Sequence, residues 1–328
     1  MPLTIARRIG VLSVVLCACG PAIAIAGADA PAEVRYALAA WSTEQSGDVF
    51  AIAQDREGYL WLGTPDGPVR FDGTRFLPWA RSGSSALPAH AVAALAGSSQ
   101  GGVWVAFAGS EGVARIDRDG ITRYSPTDGA PSGVNALLED RRGTVWAATG
   151  HGLFRYAGNR WSRMTEADGY NGEQASSVYE DRAGRVWVGS ARGLYRHDGT
   201  QLRLVDTTAT HVEGLVEDDA GNLWVTDRAT IVKKLGAPSP VRLDPRIHLP
   251  LPGYRIIPDH HGGFLVASFS GGLFRLANPT ASHPLLEPVE YEHRMRPDAD
   301  AVERSDDRIR KVGRIPGHDD VVNPCCLG

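Results

Sequence analysis

The segment DREGYLWLGTPDGPVRFDGTRF, Asp55 to Phe76, carries a pattern that returns downstream as DRRGTVWAATGHGLFRYAGNRW and DRAGRVWVGSARGLYRHDGTQL. Its tryptophan has counterparts at intervals of about forty residues, a spacing typical of tandem structural repeats. Six copies share this anchor position, which holds Trp61, Trp104, Trp146, Trp187, Trp224 and, in the sixth copy, Leu265. The chain of 328 residues is therefore expected to consist largely of repeats.

A turn signal precedes each anchor. A glycine stands three residues before it, at Gly58, Gly101, Gly143, Gly184, Gly221 and Gly262. Three residues before the glycine stands an aspartate in five copies and Ser98 in the second copy; the aspartates are Asp55, Asp140, Asp181, Asp218 and Asp259. Aspartate can bond the backbone amides that open a hairpin, and glycine accepts the positive φ that closes it. We therefore interpret these positions as structural.

Short apolar segments flank every turn. In the first copy they are Val49 to Ala53 and Tyr59 to Leu62, followed by Val69 to Phe71 and a last segment near Phe76. Segments of this length, rich in β-branched and aromatic residues, favour strands. Four strands in about forty residues indicate a propeller blade. The prediction is an all-β propeller over residues 33–277, with about six four-stranded blades or an incomplete seven-bladed ring.

The recurring tryptophan has two interpretations. It can pack between neighbouring blades, or it can form a platform on which a sugar ring stacks. A ligand platform has no need of the same ring in five blades, so we favour packing.

The ends of the chain differ from the repeats. Residues 1–26 combine Arg7 and Arg8 with an apolar run and Ala24-Ile25-Ala26, which predicts a cleaved signal peptide and a periplasmic or secreted protein. A membrane anchor and lipidation at Cys19 are the alternatives. Residues 278–328 form a charged tail with little apolar periodicity and are predicted to be disordered.

No catalytic, metal or cofactor site is predicted. The histidines form no ligand pattern, and His260-His261 falls on a turn. Neither a nucleophile elbow nor a phosphate-binding loop is present in the sequence. The net charge of −4 argues against nucleic acid as a partner.

A cation recurs in the third segment of each copy, as Arg70, Arg115, Arg155, Arg196, Lys233 and Arg275. These side chains could ring a central channel and hold an acidic sugar, or each could pair with local acids such as Asp72 or Asp198. Binding is expected in the longest connections, 80–90, 122–133, 162–176 and 236–253. Tyr124, Trp161 and Tyr170 lie in or beside them and could stack on a sugar.

The pattern Asp-x-x-Gly-x-[Leu/Val]-Trp-[Leu/Val]-Gly-[Thr/Ser], followed by Gly-[Leu/Val]-x-Arg-[Phe/Tyr], resembles the two-component regulator propeller repeat over residues 41–276. The resemblance implies the periplasmic, ligand-sensing region of a histidine kinase or diguanylate cyclase system. A small ligand, such as an oligosaccharide, and a membrane-bound signalling partner are implied with it.

After Leu276 the sequence shows no kinase or cyclase signature, so we expect a truncated or frame-shifted sensor. A sialidase-like or lyase-like glycan enzyme and a protein-interaction scaffold remain alternatives. The sialidase box, however, spaces its residues as Asp-x-Gly, whereas this chain has Asp-x-x-Gly.

Overall fold

A computed structural model of the chain describes residues 4–7, 12–18, 36–42, 48–79, 90–171, 174–227, 232–236, 242–243, 254–259, 261–268, 272–281 and 284–289. The first three segments form a three-stranded antiparallel sheet made of Thr4–Arg7, Leu12–Ala18 and Tyr36–Ser42. The last of these strands pairs with the second and joins no propeller blade. The signal peptide stays a prediction.

Six further sheets follow one another along the chain, and we number them as blades 1 to 6. Blade 1 contains Ala51–Gln54, Leu60–Thr64, Gly67–Phe71 and Phe76–Pro78. Blade 2 contains Val92–Gly97, Val103–Phe107, Val113–Asp117 and Gly120–Tyr124. Blade 3 contains Val134–Glu139, Val145–Thr149, Gly152–Ala157 and Arg160–Arg163. Blade 4 contains Ala175–Glu180, Val186–Ser190, Gly193–His197 and Leu202–Asp206.

The last two sheets depart from this plan. Blade 5 has three strands among the described residues: Gly214–Glu217, Leu223–Thr226 and Lys233–Lys234. Blade 6 contains Tyr254–Pro258, Phe264–Ser268, Gly272–Leu276 and Leu285–Pro288. A fifth strand, Arg242–Leu243, pairs in parallel with the last of these. Short 3-10 helices at Pro126–Asp128 and Glu166–Asp168 lead from blades 2 and 3 to the next blade.

The prediction of an all-β propeller is confirmed. Strands within blades 1 to 4 pair in sequence order and antiparallel, as consecutive hairpins require. The first strands of consecutive blades contact one another, which places them at the centre of the ring. The seven-bladed alternative stays a prediction.

The predicted end of the propeller at residue 277 is too early. Leu285–Pro288 pairs with Gly272–Leu276, and Leu286 is buried in the same cluster as Phe274 and Leu276. The sequence signal was missed because this strand alternates within a stretch that also carries charge and proline. Residues 290–328 lie outside the described residues, so a disordered tail stays a prediction there.

Candidate functional site

The six turns share one geometry. The glycines at the anchor-minus-three position all have positive φ, between 75° and 93°: Gly58, Gly101, Gly143, Gly184, Gly221 and Gly262. The aspartates are 1–6% exposed: Asp55, Asp140, Asp181, Asp218 and Asp259. In blade 1, for example, Oδ1 of Asp55 accepts hydrogen bonds from the amides of Glu57 and Tyr59, both at 3.0 Å. Both oxygens of these carboxylates are committed to holding the blade together.

Oδ2 of the turn aspartate accepts the indole N–H of the anchor tryptophan in blades 1, 3, 4 and 5, at 2.8–2.9 Å. The indole rings are 1–5% exposed: Trp61, Trp104, Trp146, Trp187 and Trp224. Each packs with residues of the following blade, as Trp146 does with Val186 and Tyr195. The anchor tryptophans therefore join neighbouring blades and offer no surface to a sugar.

Four of the third-strand arginines are held by local acids or aromatic rings. Arg115 and Arg275 pair with Asp117 at 3.4 Å and Asp259 at 2.8 Å. Arg70 lies 4.5 Å from the ring centroid of Tyr59 and 5.3 Å from that of Trp79, and Arg196 lies 5.8 Å from that of Trp187. Asp72 and Asp198 instead accept backbone amides of their own turns. The side chain of Lys233 lies outside the described residues.

The loop aromatics are packed inside the protein. Trp161 is 6% exposed and Tyr170 is 2% exposed. Tyr124 is half-buried, and its hydroxyl lies 3.0 Å from that of Tyr156. Burial raises the pKa of Tyr124, and the hydrogen bond with Tyr156 raises it further. Stacking on a sugar is therefore closed to Trp161 and Tyr170.

A cavity of about 300 Å³ lies at the centre of the ring, between the first strands of several blades. Its wall is formed by blades 1, 2, 3, 4 and 6, with Phe50, Ala51, Ile52, Ala93, Ala94, Leu95, Asn135, Ala136, Leu137, Val178, Arg255, Ile257, Leu265, Ala267 and Leu273. This volume is at the lower end of the range for small-molecule pockets. We call this space the axial cavity.

Two polar side chains line the axial cavity, and both are held by neighbouring blades. Nδ2 of Asn135 donates to the carbonyl of Ala175 at 2.9 Å. Nη1 of Arg255 donates to the carbonyl of Glu213 at 3.1 Å. Among the described residues the other guanidinium donors of Arg255 have no recorded partner. A fixed guanidinium in an aliphatic wall is a suitable anchor for an anionic group.

The surroundings of Arg255 in the cavity wall affect its solvent exposure and its pKa. Arg255 is exposed to solvent by its accessible surface, although many protein atoms lie around its guanidinium group. This burial lowers the pKa of Arg255, while the charge of Glu213 raises it. Arginine stays charged at neutral pH even so, because its ordinary pKa is far above 7.

Sequence reasoning expected binding in the loops or at third-strand cations around a central channel; it did not identify Arg255 or the apolar wall of the axial cavity. Residues 80–89, 172–173, 237–241 and 244–253 of the expected binding loops lie outside the described residues. Arg255 is not a repeat position, and nothing in one sequence shows which strand faces the centre. The signal that could have pointed to it is a lone arginine inside an otherwise apolar first strand, YRIIP.

Within the described part of the chain, no three or more His, Cys, Asp or Glu residues are grouped so that they could hold a metal ion. His260 lies outside that part. No helix long and apolar enough to cross a membrane occurs among the described residues.

Comparison with known proteins identifies the repeats. The family model described as two component regulator propeller matches residues 43–66 and 169–192. No curated protein matches the chain significantly.

Three solved structures share the fold. The extracellular domain assigned to the one component system BT4673 of B. thetaiotaomicron is 16% identical, with a TM-score of 0.52, over 74% of this chain and 33% of that one. Virginiamycin B lyase from Staphylococcus aureus is 16% identical, with a TM-score of 0.52, over 76% of this chain and 87% of the lyase. PorZ, a surface component of the type-IX secretion system of Porphyromonas gingivalis, is 14% identical, with a TM-score of 0.57, over 84% of this chain and 44% of PorZ.

These structural similarities establish the fold and nothing finer, because the identities are low. The chain also spans only about a third of the BT4673 domain. The family match rests on the repeat itself, in blade 1 and again at the entry to blade 4. The chain is therefore a β-propeller that carries repeats of the two-component regulator propeller family.

Proposed function

We propose that this propeller is the ligand-sensing region of a two-component or cyclic-di-GMP signalling system, and that the axial cavity is its ligand site. The observation that carries the proposal is a cavity of about 300 Å³, bounded by five blades, in a chain with regulator propeller repeats. A ligand held by several blades can change how they sit against one another. Such a change would be passed to a membrane-bound signalling partner.

The cavity wall favours a ligand with an anionic group and an apolar face. Arg255 supplies a charged, forked donor, and Asn135 supplies an amide. The remaining wall is aliphatic apart from Phe50. We therefore propose a small carboxylate-bearing ligand, and among oligosaccharides an acidic one such as an oligogalacturonate.

Thermal shift measurements on the full chain test this assignment. A ligand that binds only the folded state raises Tm, by an amount that grows with its concentration. We expect digalacturonate to raise Tm and neutral digalactose to leave it unchanged. Arg255→Gln should abolish the shift, since it removes the charge but keeps the side chain polar.

A matched control is Arg160→Gln, which neutralises an exposed arginine on the outer strand of blade 3. This variant should respond like the parent. Ala136→Leu fills part of the cavity and should weaken the response without touching Arg255. The proposal is wrong if digalacturonate shifts Arg255→Gln as much as the parent, or if no acidic ligand shifts the parent.

Export is part of the proposed function and has its own test. An alkaline phosphatase reporter fused after residue 26 becomes active only outside the cytoplasm. We expect activity, and we expect the N-terminus of the purified protein to begin beyond Ala26. Replacing Cys19 with serine should leave export unchanged; retention of the fusion in the membrane through Cys19 would favour the lipoprotein alternative.

A further inference from the structure

A second cavity lies between blades 3 and 4, on the side of the turns. It measures about 180 Å³ and is lined by Asp140, Arg142, Thr144, Trp146, Arg155, Ala157, Ala183, Gly184, Arg185, Val186, His197, Asp198 and Gly199. We call it the blade 3–4 cleft. Its lining includes three arginines, a histidine and two aspartates. Their hydrogen bonds show which of these side chains already have a partner in the protein.

Both aspartates of the cleft are fully committed to the protein. Oδ1 of Asp140 accepts the amides of Arg142 at 3.0 Å and Thr144 at 2.9 Å, and Oδ2 accepts the indole of Trp146. Asp198 accepts two amides of its own turn, and its Oδ2 lies 3.1 Å from Nε of Arg203. Among the described residues, neither carboxylate forms a hydrogen bond or ion pair with the guanidinium group of Arg142 or Arg155.

Two of the three arginines are left without an acid. Arg185 donates to Asp181 at 2.6 Å. For the guanidinium groups of Arg142 and Arg155, no hydrogen bond or ion pair is recorded among the described residues. Of the described third-strand arginines, Arg155 is the one with neither an acid nor an aromatic ring recorded against its guanidinium. The cleft therefore offers two guanidinium groups whose N–H donors are not engaged by the described residues.

A histidine completes this arrangement. His197 occupies the position that holds Phe71 in blade 1 and Tyr156 in blade 3. Its ring lies edge-on to Trp146, with centroids 5.0 Å apart, and its Nε2 is buried with no partner among the described residues. A buried ring nitrogen without a partner costs free energy unless a ligand or water bonds it.

The charged residues around His197 change its pKa in opposite directions. Burial lowers the pKa of His197; Asp198 and Asp140 raise it, and Arg155 and Arg142 lower it. Arg185 of the same cleft is paired with Asp181. A bound anion would raise this pKa, because it would stabilise the imidazolium next to the arginines.

We propose that the blade 3–4 cleft binds a phosphate-type oxyanion, with the guanidinium groups of Arg142 and Arg155 and Nε2 of His197 as its donors. Two forked guanidinium groups suit the oxygens of a tetrahedral anion. The cleft has room for about six waters, so a phosphate monoester fits as well as the free ion. This site is separate from the axial cavity and does not depend on its ligand.

Calorimetric titration of the full chain with inorganic phosphate, and separately with glycerol 3-phosphate, tests the proposal. We expect saturable binding. Because phosphate esters themselves ionise near pH 6, the contribution of His197 is the ratio of the parent's affinity to that of His197→Phe, and this ratio should be larger at pH 6 than at pH 8. Tighter binding of glycerol 3-phosphate would identify a phosphate ester as the ligand, and equal binding the free ion.

Three variants separate binding from folding. Arg155→Gln should weaken binding about tenfold, as the loss of a charged hydrogen bond predicts. His197→Phe introduces the residue that blade 1 carries at this position, so it should fold and bind several-fold more weakly than the parent at pH 6, with a smaller difference at pH 8. Arg196→Gln changes the same position one blade later, outside the cleft, and should bind within about twofold of the parent.

The proposal fails if the parent shows no saturable binding of either probe. It also fails if Arg155→Gln binds as tightly as Arg196→Gln. If Arg155→Gln does not fold, Arg142→Gln is the variant to test instead, because Arg142 is an exposed turn residue. It should weaken binding in the same way.

Discussion

Blades 2 and 3 differ in the residue that accepts the hydrogen bond of the buried indole N–H. In blade 3 the indole N–H of Trp146 bonds to Asp140 of its own turn at 2.8 Å. Blade 2 has Ser98 in place of the aspartate, and the indole of Trp104 bonds instead to Glu139 of blade 3 at 2.6 Å. The turn itself is unchanged, because Ser98 and Gly102 keep the same backbone hydrogen bond at 3.0 Å.

The difference shows which part of the repeat is indispensable. A buried indole needs an acceptor, but that acceptor can come from either side of the blade interface. Glu139 also accepts the amide of Ser99 at 3.0 Å, a bond that Glu180 and Glu217 repeat with Arg141 and Arg182 of the preceding blades. In blade 2 this inter-blade carboxylate has taken over the task of the missing aspartate.

The largest expected effect on stability comes from removing the anchor tryptophan, which both blades have. Trp146→Ala removes a side chain that is 1% exposed and packs against Val186 and Tyr195 of the next blade. It should cost about 3 to 5 kcal/mol of unfolding free energy. A thermal melt should show a fall of about 6 to 20 °C for a domain of this size.

The control for this change is Leu77→Ala, which truncates a side chain that is 41% exposed on the outer strand of blade 1. Its melt should stay close to that of the parent. An unchanged melt in Trp146→Ala would mean that the ring does not hold the two blades together.

A second prediction separates the two blades directly. Glu139→Ala leaves the buried indole of Trp104 without an acceptor and should cost about 1 to 3 kcal/mol more than Glu180→Ala, because Trp146 keeps Asp140. Chemical denaturation of the two variants measures this difference.

Restoring the missing aspartate sharpens the same comparison. Adding Ser98→Asp to Glu139→Ala should recover most of the loss, because the new carboxylate can take the position that Asp140 holds in blade 3. A double-mutant cycle gives the coupling between the two positions. Additive effects of Ser98→Asp and Glu139→Ala would contradict the compensation.

A third, smaller effect concerns pH. Burial raises the pKa of Glu139, but hydrogen bonds from Ser99 and Trp104 outweigh it and hold the pKa below its ordinary value of 4.5. A lowered folded-state pKa contributes stability that is present above the unfolded value and lost as the pH falls through the folded one. The stability gap between the parent and Glu139→Gln should therefore narrow as the pH falls from 7 to 3.

Melts of both proteins across this range check the prediction, with the exposed Glu166→Gln as control. The pKa values of Asp181 and Asp218 are also lowered, so both proteins should still lose stability in acid. A gap that stays constant with pH would show that Glu139 does not act through its charge.

The repeat and the fold could be predicted from the sequence because the residues that interact in each turn lie close together in the sequence. Asp140, Gly143 and Trp146 form a blade from residues a few positions apart, and their spacing is visible in one sequence. The role of Glu139 could not be seen, because it depends on a contact with Trp104, 35 positions away in sequence. Arg255 and His197 were missed for the same reason: the roles we propose for them depend on which blades face them.

The smallest expected effect is at the exposed rim of the same interfaces. Nη2 of Arg182 lies 3.0 Å from Oδ1 of Asp219 in the next blade, with side chains 56% and 79% exposed. Solvent screens such a pair, so Asp219→Ala should lower Tm by no more than about 4 °C. Raising the salt concentration from about 0.05 to about 1 M should reduce this difference further, because the Debye length shrinks to about 3 Å. A larger, salt-independent fall would mean that Asp219 holds the blade 4–5 interface as Glu139 holds the blade 2–3 interface.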